Sequence, residues 1–473
     1  MALGMVFAAC NDDYKKDYDP KPDPADKIGA PVASIAEGAT VDAEATKVIT
    51  LTYEKPVALN PDVPILLNDA DAKAVVNEEN RCEVRIDVTL APGTDYKLFV
   101  AERAVAVIDA AWFAPEFTLN FSTEAKMIVT DFEALVNPNA TAAAKAVHDF
   151  LVAEHGKHIL SGAMANVNNN NDFADWIYSF TNKYPAIVGY DFIHLPESLK
   201  GENWIDYNDI SAAKAQWAAN GLVSYMWHWR VPTDEQAWKD KDYKKYGCRT
   251  PGDNVEDPTD FNIENALKEG TWEHECILAD IDEVAKIFKL LEAEGIPVLW
   301  RPLHEAAGSY KYNGAWFWWG AKGGEATKEL WKLMYDRLVN HNGVNNLIWV
   351  WTAQYEEGYE SQMIADYPGN EYVDVIGVDV YADDDNSQKA AYDALLSLGA
   401  GKKLVALSET GMLQNPDKCE ADGADWSWFN LWYTYDAHKN DPSTDGFGNT
   451  KESIKAVFDS PFTLNREDMP TLK

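Results

Sequence analysis

The chain has 473 residues, enough for two or three domains, and 46% of it is apolar, sufficient for a sizeable core. Its formal charge is 41 − 77 = −36. So acidic a protein repels DNA, RNA and anionic polysaccharides such as pectin, alginate or heparin; a neutral polymer is the compatible class of large ligand.

The first ten residues, MALGMVFAAC, carry an apolar run and small residues before a cysteine, without a basic start. They resemble a truncated bacterial lipoprotein signal with Ala8-Ala9-Cys10 as its lipobox. On that reading lipid sits on Cys10 and is the only link to a membrane. The expected location is then the outer-membrane surface or the periplasm of a Gram-negative bacterium. The alternative is an unprocessed, disordered N-terminus. Residues 11–29 are rich in Asp, Lys and Pro and read as a solvated linker. The other cysteines, Cys82, Cys248, Cys276 and Cys419, have irregular spacing and no CxxC, which argues against a zinc site.

Residues 30–126 show short β-branched and aromatic runs at Lys47–Tyr53, Arg81–Leu90, Tyr96–Val100 and Phe117–Phe121. Turn signals at Asn60-Pro61, Asn68-Asp69 and Pro92-Gly93 separate them. This pattern predicts a small all-β, immunoglobulin-like sandwich. It holds no cluster of catalytic residue types, so a spacer is preferred over a carbohydrate-binding module.

From residue 127 to 473 strand and helix alternate. A helix is expected over Ala142–His155, with Ala144, Val147 and Leu151 on one face. Strands are expected at His158–Ala163, Ala186–Phe192, Leu222–His228, Pro297–His304, Asn346–Thr352, Val373–Tyr381, Lys403–Glu409 and Phe429–Tyr433. Before the fourth strand, Ile277, Ile281, Val284, Phe288 and Leu291 share a helix face that Gly295 closes. Eight such units make an α/β fold, a (β/α)8 TIM barrel whose active site lies at the C-terminal strand ends.

Glu305 and Glu409 close the fourth and seventh strands, 409 − 305 = 104 residues apart, or three barrel repeats. Strands four and seven lie across the barrel mouth, so both carboxyls can face one pocket. One strand-end Glu alone is better explained as an ion pair. Two at barrel spacing are the equipment for glycoside hydrolysis, an acid for the leaving oxygen and a second carboxylate for the anomeric carbon. The run WFWWG after Glu305 supplies four aromatic residues, and indole faces suit the C–H patches of sugars. HEAAG is not HExxH, so zinc-protease chemistry is set aside. No metal and no cofactor is called for. Arg301, deeper in the fourth strand, is placed to orient a carboxylate and keep it ionised.

WRPLHE, WFWWG, NLIWVWT, VDVIGVDVY and LSETG, in that order, resemble glycoside hydrolase family 26, over about residues 128–470. The resemblance implies a β-mannanase working with retention, with Glu305 as general acid/base and Glu409 as nucleophile. It implies sugar contacts from His228 and His304, a stacking platform at Trp316, a contact from Tyr381 to the nucleophile, and a floor at Trp432. Asp374 and Asp379 are implied as supporting residues. The implied partner is a neutral β-mannan or mannooligosaccharide, with other surface glycan-binding proteins as candidate associates. Mixed-linkage β-glucan, β-1,3-xylan and a non-catalytic glycan-binding role stay open. The sequence departs from the family in Ala306–Ala315, where SYKYNG reads as an inserted rim. Tyr310, Tyr312 or Trp316 are therefore alternative stacking residues. The long loop His228–Thr259 is a candidate lining of distal subsites.

Overall fold

Alternation of buried and exposed residues builds the first part of the chain, and runs of continuous burial build the second. In this computed structural model the described residues are 27–43, 45–68, 70–90, 94–108, 112–123, 131–252, 255–311, 314–434 and 447–473. Cys10, most of the expected linker, the turn residues Asp69 and Pro92-Gly93, and Tyr312 lie outside them. The chain divides into two units, Met1–Met127 and Ile128–Lys473.

In the first unit Val48–Thr52 and Glu83–Asp87 pair antiparallel, with Ile49 opposite Ile86 and Leu51 opposite Val84, all buried. Their neighbours point outward, as a two-residue period requires. The four-stranded sheet runs Val32–Ala33, Val48–Thr52, Glu83–Asp87, Lys73–Val76. A five-stranded sheet runs Thr40–Val41, Phe117–Thr123, Asp95–Val100, Ile65–Leu67, Ala70–Asp71. Leu98, Val100, Leu119 and Phe121 from the second sheet join Ile49, Leu51, Val84 and Ile86 in one core. All four expected strands form. The strands of two or three residues carry too few positions to show a period and were not foreseen.

The second unit is a closed parallel barrel of eight strands: β1 (Gly162–Met164), β2 (Ile187–Asp191), β3 (Leu222–Met226), β4 (Val298–Arg301), β5 (Leu347–Ala353), β6 (Val375–Val380), β7 (Leu404–Thr410) and β8 (Phe429–Leu431). Parallel barrel strands are covered on both faces, and β5 and β7 are accordingly buried at every residue. The expected first strand divides in two. Ile159–Leu160 pairs with Thr463–Leu464, and only Gly162–Met164 enters the barrel. A Cβ on Gly162 would stand 2.5 Å from the carbonyl oxygen of Phe429, so glycine is what lets β1 close on β8.

The helix Trp272–Ala293 begins at Thr271, whose side chain accepts from the His274 N–H, and ends before Gly295 at φ +70°. Its residues Ile277, Ile281, Val284, Phe288 and Leu291 are all buried. Each contributes about 1.5–3 kcal/mol of gross burial energy. That face holds the helix against the outside of the barrel and sets the height at which β4 delivers its last residues.

Candidate active site

Strand β4 ends at Arg301, four residues before Glu305, rather than at the glutamate as expected. The chain then makes a turn in which Leu303 and Glu305 have φ +53° and +49°. Left-handed backbone is uncommon for residues with a Cβ. The turn resolves a difficulty of strand geometry, since His304 and Glu305 could not both face the pocket from a regular strand. Gly320 closes the turn from behind. A Cβ there would be 1.5 Å from the carbonyl oxygen of Ala306, so the last residue of WFWWG is glycine for close packing.

On β6 and β7 a bulge performs the same service. The register pairs Val378 with Leu407 and then Asp379 with Glu409, leaving Ser408 as the extra residue. Gly377 makes room for it, because a Cβ there would meet Ser408 Oγ at 1.7 Å. Asp379 and Glu409 thereby turn to the same buried side. One oxygen each from Glu305, Asp379 and Glu409 lie within 4.8 Å of one another.

Arg301 holds two of the three. Its Nη1 donates to Asp379 Oδ1 and Oδ2 at 3.1 and 3.0 Å, and its Nη2 donates to Glu409 Oε1. Met226 Sδ lies 3.1 Å from the same Nη2. The other oxygen of Glu409, Oε2, accepts from the hydroxyl of Tyr381 at 2.7 Å. Burial, Glu409 and Asp379 all push the Tyr381 phenol far up, so it stays a donor. Among the described residues no arginine hydrogen-bonds Glu305; Arg301 and Arg249 act on it through charge alone. Burial raises its pKa well above the usual carboxyl range, with the negative charges of Asp379 and Glu409 adding to the effect. Burial and Glu409 push Asp379 up as well, but there the charge and the two hydrogen bonds of Arg301 oppose them, so the geometry favours the proton on Glu305. Three close carboxyls are also a possible cation cradle, but here the guanidinium of Arg301 supplies the positive charge between two of them.

His228 stands at the mouth beyond β3, its Nδ1 2.6 Å from Asp191 Oδ2 and its Nε2 3.3 Å from His304 Nε2. His304 thus meets a second histidine. The rings of Trp432 and His228 are 6.1 Å apart, which places Trp432 beside His228 at the barrel mouth. Trp316 is 44% exposed and free to stack. The other three aromatics of WFWWG are buried and structural, which corrects the expectation of a four-residue wall. Trp318 Nε1 donates to the carbonyl of Trp229 and Trp319 Nε1 to that of His304, at 2.8 and 2.9 Å. Phe317 packs against the rings of both His228 and His304, at 5.5 and 5.3 Å.

The inserted rim is anchored outward. Tyr310 donates to Asp366 Oδ2 at 2.6 Å and is half-buried, which removes it as a stacking residue. The loop after β3 is laced to the loop after β4. Thr250 N–H donates to the Trp316 carbonyl at 2.9 Å, and Trp318 N–H to that of Cys248 at 3.0 Å.

Asp374 is not brought to the site. It precedes β6, at the opposite end of the barrel from Asp379, where its oxygens accept the N–H groups of Val136 and Trp349 at 2.7 Å each. Burial pushes its pKa up to about 6 against those bonds. It closes the barrel floor. Asp191 is not among the residues that the sequence singles out, although it is the last residue of β2 and Glu409 the last but one of β7. Met226 carries no signal beyond apolarity.

A family model described as glycosyl hydrolase family 26 matches residues 136–468. A protein of Thermothelomyces thermophilus named mannan endo-1,4-β-mannosidase is 35% identical over 71% of this chain. The chain spans 63% of that protein's length, and 50% of a Piromyces protein named mannan endo-1,4-β-mannosidase A, also 35% identical. Among solved structures, the family 26 domain of a Prevotella bryantii endo-β-mannanase/endo-β-glucanase is 34% identical with a TM-score of 0.62, covering 71% of this chain and 98% of that one. A β-mannanase from a symbiotic protist of the termite Reticulitermes speratus, solved with gluco-manno-oligosaccharide, is 33% identical with a TM-score of 0.61, covering 72% and 98%. With the barrel, the paired glutamates and this match over most of the second unit, the chain belongs to glycosyl hydrolase family 26.

Proposed function

We propose that the chain is a retaining endo-β-1,4-mannosidase that cleaves mannan, galactomannan or glucomannan. The observation that carries the reading is the pair Glu305 and Glu409, with oxygens within 4.8 Å and only Glu409 held by Arg301. Carboxyls about 5–5.5 Å apart leave no room for a water between them and the sugar, which suits attack by the carboxylate itself. The relatives named above as mannanases, one solved with a gluco-manno-oligosaccharide, support the substrate class.

The chemistry then runs in two steps. Glu409 attacks the anomeric carbon as Glu305 gives its proton to the departing glycosidic oxygen. A glycosyl ester on Glu409 results. Glu305, now a carboxylate, takes a proton from an entering water, whose oxygen displaces Glu409 and restores both groups. Arg301 and Tyr381, each on one oxygen of Glu409, keep it oriented before attack. His228, Trp316 and Trp432 hold the sugar, with the buried His304 behind His228 rather than on the sugar as the resemblance implies. Asp379 balances the guanidinium charge.

The first unit is read as an immunoglobulin-like spacer, supported by its strand order. Lettered along the chain and leaving out the Val57–Leu59/Val105–Val107 ribbon, its sheets run A-B-E-D and A′-G-F-C-C′, the immunoglobulin arrangement. A lipid on Cys10 at the outer-membrane surface or in the periplasm completes the proposal. Labelling cells with an alkyne fatty acid tests that anchor, and Cys10→Ala must abolish the label.

Parallel digests of locust bean gum, konjac glucomannan and lichenan test the function. A ladder of mannooligosaccharides from the first two, and little from lichenan, is the expected result. Release only from lichenan would move the assignment to β-glucan. Binding without release from any of them would end the enzyme reading.

A further inference from the structure

The Glu305 turn is tied to another strand end by three side chains that lead away from the reacting carboxyls. Asp191, buried at the end of β2, accepts the N–H groups of Ile193 and His228 on Oδ1, both at 3.0 Å. Its Oδ2 lies 2.6 Å from His228 Nδ1. Burial works to raise its pKa, but the bonds from His228 and the charge of Arg301 hold it below the ordinary value. A carboxylate only accepts, so the His228 proton sits on Nδ1 and its Nε2 is an acceptor. His304 Nε2, 3.3 Å away, must then donate. That leaves a lone pair on the buried His304 Nδ1, which has no partner. The reverse assignment would bury an unpaired N–H there, at about 1–3 kcal/mol. Burial and the charge of Arg301 keep His304 neutral. The charge on Asp191 thus dictates the tautomers of two histidines in turn.

His304 is also gripped at its carbonyl by Trp319 Nε1, at 2.9 Å. On either side of it stand the two left-handed residues, Leu303 and Glu305. Such backbone costs on the order of 1–3 kcal/mol per residue and persists only where its surroundings hold it. The ring and carbonyl of His304 are the holding points at the centre of that turn.

We propose that Asp191 is a positioning residue for Glu305: through His228 it fixes His304, and His304 holds the turn that aims the Glu305 carboxyl at the leaving oxygen. The proposal rests on Glu305 being the acid/base. A plain structural role for Asp191, closing the loop after β2, predicts no preference among leaving groups.

Asp191→Asn is the test, because it changes chemistry with little change in volume. If the amide oxygen faces the two backbone N–H groups, its NH2 meets His228 Nδ1. The His228 proton then moves to Nε2, against the N–H of His304. If the amide flips, its NH2 opposes the two backbone donors instead. kcat/KM is measured on β-mannan, whose leaving alcohol needs a proton, and on 2,4-dinitrophenyl β-mannobioside, whose leaving group does not. We expect a loss of about 10²-fold on mannan, in the range of general acid catalysis, and under about 5-fold on the aryl substrate. The ratio of the two losses does not depend on how much of the variant is folded. Equal losses on both would overturn the proposal. Glu305→Ala is run beside it. If that variant also loses equally on both, the acid/base assignment has failed first; if it alone spares the aryl substrate, only the role of Asp191 has.

Discussion

The hydroxyl of Tyr381 donates to Glu409 Oε2 at 2.7 Å while Arg301 occupies Oε1. Both oxygens of the proposed nucleophile are thus spoken for before a sugar arrives. Hydrogen bonds to a charged acceptor contribute about 1.5–3 kcal/mol. Losing the one from Tyr381 frees Glu409 to rotate out of its line of attack. Tyr381→Phe should therefore lower kcat/KM on mannan by roughly 10–100-fold, with KM moving less than kcat. A loss expressed wholly in KM would make Tyr381 a sugar-binding residue and nothing more.

Glu409→Ala should reduce hydrolysis by about 10⁴-fold or more, since no other group can form the ester. Azide then has room on the face Glu409 vacates and should restore turnover of an aryl mannoside with inverted product. In Glu305→Ala azide replaces the incoming water instead and gives retained product. NMR of the glycosyl azides distinguishes them. The opposite stereochemistry in the two variants would exchange the roles assigned here.

The raised pKa of Glu305 has a cost that stability measurements can read. Unfolded, the carboxyl ionises near pH 4.5; folded, it holds its proton to higher pH. Between those values the native state binds more protons than the unfolded one, so stability falls as pH rises through that window. Below it the penalty is absent. Glu305→Gln cannot ionise and should melt higher than the parent at pH 7 and nearly level with it at pH 4. A Tm difference that is the same at both pH values would show that the charge is not the cause.

Much of the barrel was legible because its chemistry is crude. A strand covered on both faces must be apolar throughout, and β5 and β7 announce themselves as such. The two glutamates followed from strand position and spacing. What escaped was direction within an element. Asp374 was grouped with Asp379, although five residues along β6 separate the floor of a barrel from its mouth. The left-handed turn at Leu303 and Glu305 has no sequence mark, because the groups that hold His304 at its centre, His228 and Trp319, come from other segments. Asp191 was visible by the rule that found Glu409 and lacked only a partner to draw attention to it.

The aromatic run after Glu305 is where sequence and structure part most, and it yields the sharpest contrast. Trp316 is largely exposed, whereas Trp319 is fully buried and donates to the His304 carbonyl. Removing a buried indole leaves a cavity and costs about 3–5 kcal/mol. Here it also releases the acid/base turn. Trp319→Ala should lower Tm steeply and reduce activity on every substrate. Trp316→Ala should leave Tm within about a degree, since an exposed side chain contributes little to the fold. Its loss should appear instead as a several-fold higher KM for long mannooligosaccharides. Melting curves and KM values against chain length separate the two. A Trp316→Ala enzyme with unchanged KM at every length would remove that indole from the sugar path, leaving Trp432 as the aromatic surface beside His228.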